Sequence, residues 1–477
     1  MSYNRRNFMK TSGRFIITAN TLPFLLNCKS KTGKRPNILL FFPDQYRPDW
    51  LGLYDKLPIK TPNIDALAAR GVNFTKAVCP APLCAPSRSC LASGKEYDRC
   101  GCPTNGHNYP VEQTTFYTLL RESGYHVLGC GKFDLRKPAE SWGRDGKQIV
   151  DGKDYMKLWG FSDGIDNSGK HDGPRAYAKG KVCPYFNFLE SKGLAKVHMN
   201  DFAQRPFPDF ANTDPTPLPD EAYADNFLAR NGLQLLAETP ENKPWFLQVN
   251  FNGPHEPMDV TKKMRTAWEN VPLPQPHDND QYTPEKHVAI RQNYAAMLEN
   301  IDRWLGIYIE EIKKRGELEN TIIVFSADHG EMLGDHNLWQ KSIPYQPSAG
   351  VPLVIAGPEV RQNHTCDLPA TNMDLAATFL DLAGVETPKD MDSRSMLPLL
   401  QGKTKEHRKF VRSGLKKWRM VFDGRYKLIK GYSLAKKKND RTELILFDLV
   451  KDPMEDENIA ARNPEIVEKL SQYLNPV

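Results

Sequence analysis

Asp44, Asp328 and His329 carry the clearest chemistry in this 477-residue sequence. Two carboxylates and an imidazole drawn to one place need a cation to offset their repulsion. Oxygen ligands with one ring nitrogen suit Ca²⁺, with Mg²⁺ as the alternative, better than zinc. What brings them together is the run that precedes each. Asn37 to Phe42 leads into Pro43-Asp44-Gln45, and Thr321 to Ser326 leads into Asp328-His329-Gly330. Two further runs end alike: His126 to Cys130 before Gly131-Lys132, and Trp245 to Phe251 before Gly253-Pro254-His255. Short, continuously apolar runs rich in β-branched and aromatic residues read as strands buried on both faces. In an open α/β sheet the ligand lies outside the carboxyl ends of such strands.

Helical segments alternate with these strands. One carries Ile64, Leu67 and Ala68 before Gly71, and another carries Phe116, Leu119 and Leu120 before Gly124. The longest, Glu285 to Lys314, has Tyr294, Met297, Leu298, Ile301, Leu305, Tyr308 and Ile312 on one stripe. A later one carries Leu375, Phe379, Leu380 and Leu382. The alternation predicts a large, mostly parallel sheet flanked by helices. After about residue 400 the pattern changes. Arg419 to Phe422 and Tyr426 to Ile429 flank Asp423-Gly424, a hairpin signal. Glu443 to Leu449 reads as a strand, Pro464 to Leu474 as a closing helix, and Lys436 to Lys438 as a solvated hairpin tip. The expected division is a leader at 1–28, a catalytic domain at 35–400 and a C-terminal antiparallel subdomain at 401–477.

The leader accounts for most of the apparent basicity. The net charge is +6 from 64 basic and 58 acidic residues, and Arg5, Arg6, Lys10 and Arg14 fall in a stretch with no acid. Nucleic acid is therefore not an expected partner. Asn4-Arg5-Arg6-Asn7-Phe8-Met9-Lys10 is similar to a twin-arginine export signal. Export to the periplasm or cell surface is expected. Two readings of Cys28 stand side by side: the acylated residue of a lipoprotein box, giving a lipid anchor to the membrane, and an incidental cysteine after an ordinary signal peptide. A mean hydropathy of −0.57 and the lack of an 18-residue apolar run exclude a polytopic membrane protein. None of the nine cysteines forms a zinc-type C-x2-C pair, and the Cys79 to Cys102 group is where disulfides would form.

Cys84-Ala85-Pro86-Ser87-Arg88, followed by Leu91, Ser93, Gly94 and Lys95, resembles the signature of the type I, formylglycine-dependent sulfatases of the alkaline phosphatase superfamily. The likeness spans essentially the whole mature chain in family order, through Gly131-Lys132, Pro254-His255, Asp328-His329-Gly330 and Lys341. The resemblance implies an alkaline phosphatase-like α/β fold. It implies a maturation enzyme that oxidises Cys84 to formylglycine, whose hydrated form attacks sulfur. It implies metal ligation by Asp44, Gln45, Cys84, Asp328 and His329. Cys84, Arg88, Lys132, His255 and Lys341 become the catalytic set, with His255 protonating the leaving alcohol beside Lys341. Lys132 and Lys341 become substrate contacts, and His336 is expected beside them from its place in the segment joining Asp328-His329 to Lys341.

Three places depart from the family pattern, one of them Gly350-Val351-Pro352, where Arg-Val-Pro is usual after the lysine. Asp44-Gln45 stands where Asp-Asp is usual, and Phe133-Asp134 follows Lys132 where Trp-His is common. Arg47, His171, Asp172, Arg175 and Trp339 lie in loops that could rim the pocket. The expected substrate is a sulfate ester on a polysaccharide or oligosaccharide. Two alternatives stay open. One is a phosphonate monoester or phosphodiester hydrolase of the same superfamily, suggested by Gln45. The other is an inactive glycan-binding homologue.

Overall fold

The computed structural model describes residues 34–205, 207, 210–434 and 444–474. The leader with Cys28 and the Lys436 to Lys438 tip lie outside these residues. An eight-stranded sheet runs through the molecule. Its strands, in chain order, are β1 (Asn37–Phe41), β2 (Gly71–Phe74), β3 (His126–Gly131), β4 (Asp163–Asp166), β5 (Trp245–Asn250), β6 (Thr321–Ser326), β7 (Leu353–Ala356) and β8 (His364–Cys366). Across the sheet the order is β8-β2-β7-β6-β1-β5-β3-β4. Only β7 runs against its neighbours, pairing antiparallel with β2 and β6.

The four strands legible as apolar runs, β6, β1, β5 and β3, are adjacent and form the centre of the sheet. Helices cover both faces, so no residue of β1, β5 or β6 meets solvent. That is why these runs do not alternate polar with apolar. Truncating Leu39 to alanine there should cost about 2–5 kcal/mol through the cavity left behind.

Four helices matter for the site: α1 (Cys84–Ser93), α2 (Ala224–Ala237), α3 (Pro284–Lys314) and α4 (Asp374–Leu382). Thr283 caps α3 by accepting from the Lys286 amide, and Pro284 occupies the first turn, where its missing N–H costs nothing. The α3 stripe packs on the sheet through Tyr308, whose ring meets Phe41 edge-on at 5.0 Å. Tyr294 on the same helix donates its hydroxyl to the Gln45 carbonyl at 2.7 Å, fixing the turn after β1.

Beyond residue 400 a four-stranded antiparallel meander forms in sequence order: Val411–Leu415, Trp418–Phe422, Tyr426–Lys430 and Ile445–Asp448. Its closing helix is Pro464–Ser471. The eight described cysteines are free and buried, so the Cys79 to Cys102 group holds no disulfide here.

Candidate active site

The candidate side chains gather at the carboxyl ends of the central strands and at the start of α1. Asp44 follows β1, and its amide bonds the Gly253 carbonyl at 3.2 Å, joining the β1 and β5 loops. Asp328 and His329 follow β6. Ser87 Oγ on α1 donates to the Asp328 carbonyl at 2.6 Å, so the helix bearing Cys84 is tied to that loop. Gly131 has φ 106°, and a Cβ there would lie 1.9 Å from the Asn250 carbonyl oxygen. Only glycine lets β3 run this close to β5 while handing Lys132 to the edge.

Asp44, Cys84, Asp328 and His329 are all buried, and each offers a ligand atom within 4.8 Å of the others. His329 Nδ1 lies 3.0 Å from the Gly330 carbonyl, which only accepts, so this nitrogen carries the ring hydrogen. Burial pushes the imidazole below its ordinary pKa. Its bare Nε2 therefore faces Cys84 Sγ at 3.2 Å, Asp328 Oδ2 at 3.7 Å and Asp44 Oδ1 at 3.8 Å. A ring lone pair aimed at two carboxylates is the donor set of a cation site. Formylglycine, expected at Cys84 from the sequence motif, would put an oxygen in the place of its Sγ. With it the set becomes three oxygens and one nitrogen, which fits a hard divalent ion.

Cationic side chains surround this group. Lys132 Nζ pairs with Asp44 Oδ2 and lies 3.4 Å from Asp134. Arg88 donates from Nε to Asp328 Oδ2 at 2.9 Å and from Nη1 to the Lys132 carbonyl at 2.6 Å. Its buried Nη2 has no hydrogen-bond partner and lies 3.5 Å from Asp44 Oδ2. Burial alone would raise the Asp44 carboxyl, but the Lys132 ammonium, with Arg88, holds it well below the carboxylate range. The Cys84 thiol moves the other way. Burial and Asp44 push it up to about 12, against Lys132 and Lys341. An unmodified Cys84 is thus a protonated, inert thiol at neutral pH.

The far side of the group is built by Gln45, His255 and Lys341. Lys341 Nζ lies 2.7 Å from His255 Nε2 and also bonds Gln45 Oε1. His255 Nδ1 faces the Glu256 carbonyl at 2.7 Å. Burial, with Lys341 acting against the attraction of Glu256, holds His255 well below its ordinary pKa. Its ring is neutral, with Nδ1 protonated and Nε2 accepting from Lys341. Gln45 Nε2 donates to Glu256 Oε2 at 2.8 Å and to Glu331.

Nine sequence-read residues meet here: Asp44, Gln45, Cys84, Arg88, Lys132, His255, Asp328, His329 and Lys341. Gln45 lies beside the ligand group, its backbone amide donating to Asp328 Oδ1 at 3.0 Å. Both ends of its side-chain amide are engaged, by Lys341, Glu256 and Glu331. His336 is not brought to the site. Left-handed backbone at Leu333 (φ 49°), Gly334 (93°), His336 (59°) and Asn337 (59°) turns it onto Tyr345, with ring centroids 4.6 Å apart. Trp339 packs on Phe210 and stacks with His287, and Arg47 is engaged by Asp49 and Asp335. Asp134 lies 3.0 Å from Lys137 as well, so it balances one buried and one half-buried cation.

Glu256, Glu331 and Lys137 were not identified from sequence. Adjacency to His255 and His329 was the only signal for the two glutamates. Glu331 is buried and pushed up to about 7 by burial and then by Glu256.

A family model described as Sulfatase matches residues 36–385, and one described as N-sulphoglucosamine sulphohydrolase, C-terminal, matches 334–477. The chain is 27% identical to an arylsulfatase of Clostridium perfringens, over 93% of each chain. It is 26% identical to an N-acetylglucosamine-6-O-sulfatase of Bacteroides thetaiotaomicron, over 93% of this chain and 86% of that one. Among solved structures it is similar to the phosphonate monoester hydrolase of Agrobacterium radiobacter (TM-score 0.75, 23% identity, 92% and 95% covered). It is also similar to BT4656 in complex with its substrate D-glucosamine-2-N,6-O-disulfate (TM-score 0.72, 22% identity, 92% and 97% covered). The first model alone covers well over half of the sequence, and the chain therefore belongs to the sulfatase family.

Proposed function

We propose that the sulfate ester this hydrolase cleaves is borne by a carbohydrate, that Cys84 matures to formylglycine, and that Ca²⁺ is the resident cation. The observation that carries the reading is the buried Asp44–Cys84–Asp328–His329 group with Lys132, Arg88 and Lys341 around it. Relatives named as an N-acetylglucosamine-6-O-sulfatase and an endo-4-O-sulfatase support the carbohydrate class. A formylglycine and a divalent cation supply, when bound, the nucleophilic oxygen and the Lewis acidity that the thiol lacks.

The chain's own residues do the rest. Lys132 and Arg88 offset charge on the sulfuryl oxygens and keep Asp44 ionised. On the leaving side the available proton sits on Lys341 Nζ, and His255 Nε2 holds that ammonium in place. The two act as a pair on the departing alcohol. His171 is buried with neither ring nitrogen bonded, and its ring centroid is 5.8 Å from that of His255. It is the polar side chain best placed to meet a sugar hydroxyl beside the sulfate.

The test is kcat/KM of matured enzyme on defined sulfated saccharides, an aryl sulfate, a phosphonate monoester and a phosphodiester. Saccharide sulfates should lead. A lead for the phosphonate would favour the second reading, which rests on Gln45 standing in place of a second aspartate. For the leader, the proposal is export, with Cys28 as anchor. Cell fractionation should place the mature chain outside the cytoplasm, and Cys28→Ser should release it from membranes. A cytoplasmic, uncleaved chain would exclude both.

A further inference from the structure

His277, His336 and Asp456 form a second cluster, apart from the Asp44–Cys84–Asp328–His329 group. They come from three segments distant in sequence: the loop before α3, the turn after β6, and the chain that follows the small antiparallel sheet. One ligand atom from each lies within 4.8 Å of the other two.

The ring nitrogens decide what the cluster can hold. His277 Nε2 is 2.8 Å from Asp456 Oδ1. His336 Nε2 is 2.7 Å from the Met454 carbonyl. A carbonyl only accepts, so Nε2 of His336 carries the hydrogen. In the neutral ring Nδ1 is then a bare lone pair, and it faces the same Asp456 oxygen at 3.9 Å. That distance is too long for a hydrogen bond. An imidazole lone pair aimed at a carboxylate oxygen calls for a cation between them. The arrangement repeats what His329 shows at the active site: one ring nitrogen donates to a backbone carbonyl and orients the other toward carboxylate. This is how proteins fix metal-binding histidines.

The donors are held before any ion arrives. The His336 amide donates to the His277 carbonyl at 2.7 Å, and its ring stacks on Tyr345. The His277 amide bonds Asp335 Oδ1 at 2.9 Å. The Asp456 amide bonds Asp452 Oδ1 at 3.1 Å. Bonds of about 2.0–2.2 Å to nitrogen and oxygen put ligand atoms roughly 3.3 Å apart in a tetrahedron. The separations of 2.8 and 3.9 Å bracket that value. An entry path exists, because His277 and Met454 line an open cleft of about 510 Å³.

We propose that His277, His336 and Asp456 bind a divalent transition ion of the Zn²⁺ type, distinct from the catalytic cation. Two imidazoles and one carboxylate select Zn²⁺, Ni²⁺ or Cu²⁺ over Ca²⁺. The ion would staple the C-terminal segment to the catalytic lobe.

The test uses full-length matured enzyme, stripped with chelator, saturated with Ca²⁺ and then titrated with Zn²⁺ against a chromophoric chelator. Elemental analysis after gel filtration counts both metals. One Zn²⁺ per chain is expected in addition to Ca²⁺. Asp456→Asn and His277→Gln should each weaken Zn²⁺ at least tenfold while Ca²⁺ content and turnover stay within about twofold. Co²⁺ should give visible absorption bands in the wild type that both variants lack. Wild type retaining no Zn²⁺ would overturn the proposal and leave a hydrogen-bonded His277–Asp456 pair. Zn²⁺ binding unchanged in both variants would also overturn it, by moving the ion to another site. Should Asp456→Asn fail to fold, His277→Gln, on a part-exposed loop, carries the comparison alone.

Discussion

Arg88 Nε donates to Asp328 Oδ2 at 2.9 Å while Nη1 of the same guanidinium holds the Lys132 carbonyl at 2.6 Å. One planar fork thus sets a cation ligand and the backbone of the lysine that pairs with the other carboxylate, Asp44. Lysine at this position keeps the charge and loses the fork. Arg88→Lys should lower kcat/KM about 10²–10³-fold, the scale of losing one fixed donor at the reacting group. It should also weaken Ca²⁺ by about 10–100-fold, as loss of a partner behind a ligand does. The measurement is kcat/KM across a Ca²⁺ titration. Unchanged Ca²⁺ affinity would confine Arg88 to the sulfate.

Cys84 should be formylglycine in every active molecule. Burial and Asp44 push the unmodified thiol up to about 12, so the unconverted fraction offers no thiolate at neutral pH. Peptide mass spectrometry should show activity rising in proportion to conversion. An active preparation carrying only the thiol would sink this reading. Cys84→Ala should abolish turnover and leave the thermal midpoint within a few degrees, since one small side chain is removed from the start of α1.

Asp374 ties α4 to the segment that leads into the antiparallel meander and should make stability depend on acid. At the start of α4 it accepts from Arg408 Nε at 2.7 Å and lies 2.8 Å from His407 Nε2. Burial would raise this carboxyl, but Arg408 and then His407 hold it at about 2. A folded pKa below the unfolded value of about 3.9 gives stability that is fully present above pH 4. That stability, about 2 kcal/mol, is lost as pH falls from 4 toward 2. Asp374→Asn should cost about 3–5 kcal/mol at pH 7, because Arg408 stays buried without its partner. The gap from wild type in urea midpoints should narrow as pH falls from 4 toward 2. A gap that does not change with pH would remove the carboxylate charge from the account.

The central strands were legible because burial on both faces leaves an unbroken apolar run, as in Thr321 to Ser326. The outer strands were not. β4 is Asp-Gly-Ile-Asp, and its place comes from pairing with β3 rather than from any period of its own. β2 is short and carries Asn73. At the site, residue types and strand ends identified Asp44, Asp328 and His329, and the cysteine motif identified Cys84 and Arg88. Direction was not legible. His336 lies five residues before Lys341, yet the left-handed turn at Gly334 to Asn337 points it toward Met454 and Asp456. Glu256 and Glu331 enter through the Gln45 amide, a contact spanning more than 200 residues that no local pattern records.

The Lys341–His255 pair should matter in proportion to how poorly the alcohol leaves. A sugar alkoxide is a far stronger base than a phenolate, so its departure needs a proton in the transition state, whereas an aryl sulfate departs with little help. General acid assistance is worth about 10²–10⁴-fold where it is needed. His255→Ala removes the acceptor that holds the Lys341 ammonium at 2.7 Å, and Lys341→Ala removes the proton itself. Both should impair saccharide sulfate hydrolysis by that factor and aryl sulfate hydrolysis far less. Asp328→Asn should impair the two substrates alike, because a cation held by Asp328 would serve the sulfate that both substrates share. The measurement is kcat/KM on both substrates for all three variants. Because the pair acts as a unit, the double variant His255→Ala/Lys341→Ala should lose little more than the worse single one. Equal losses on the two substrates in both single variants would assign the pair to sulfate binding. Losses that multiply in the double variant would make each residue act on its own.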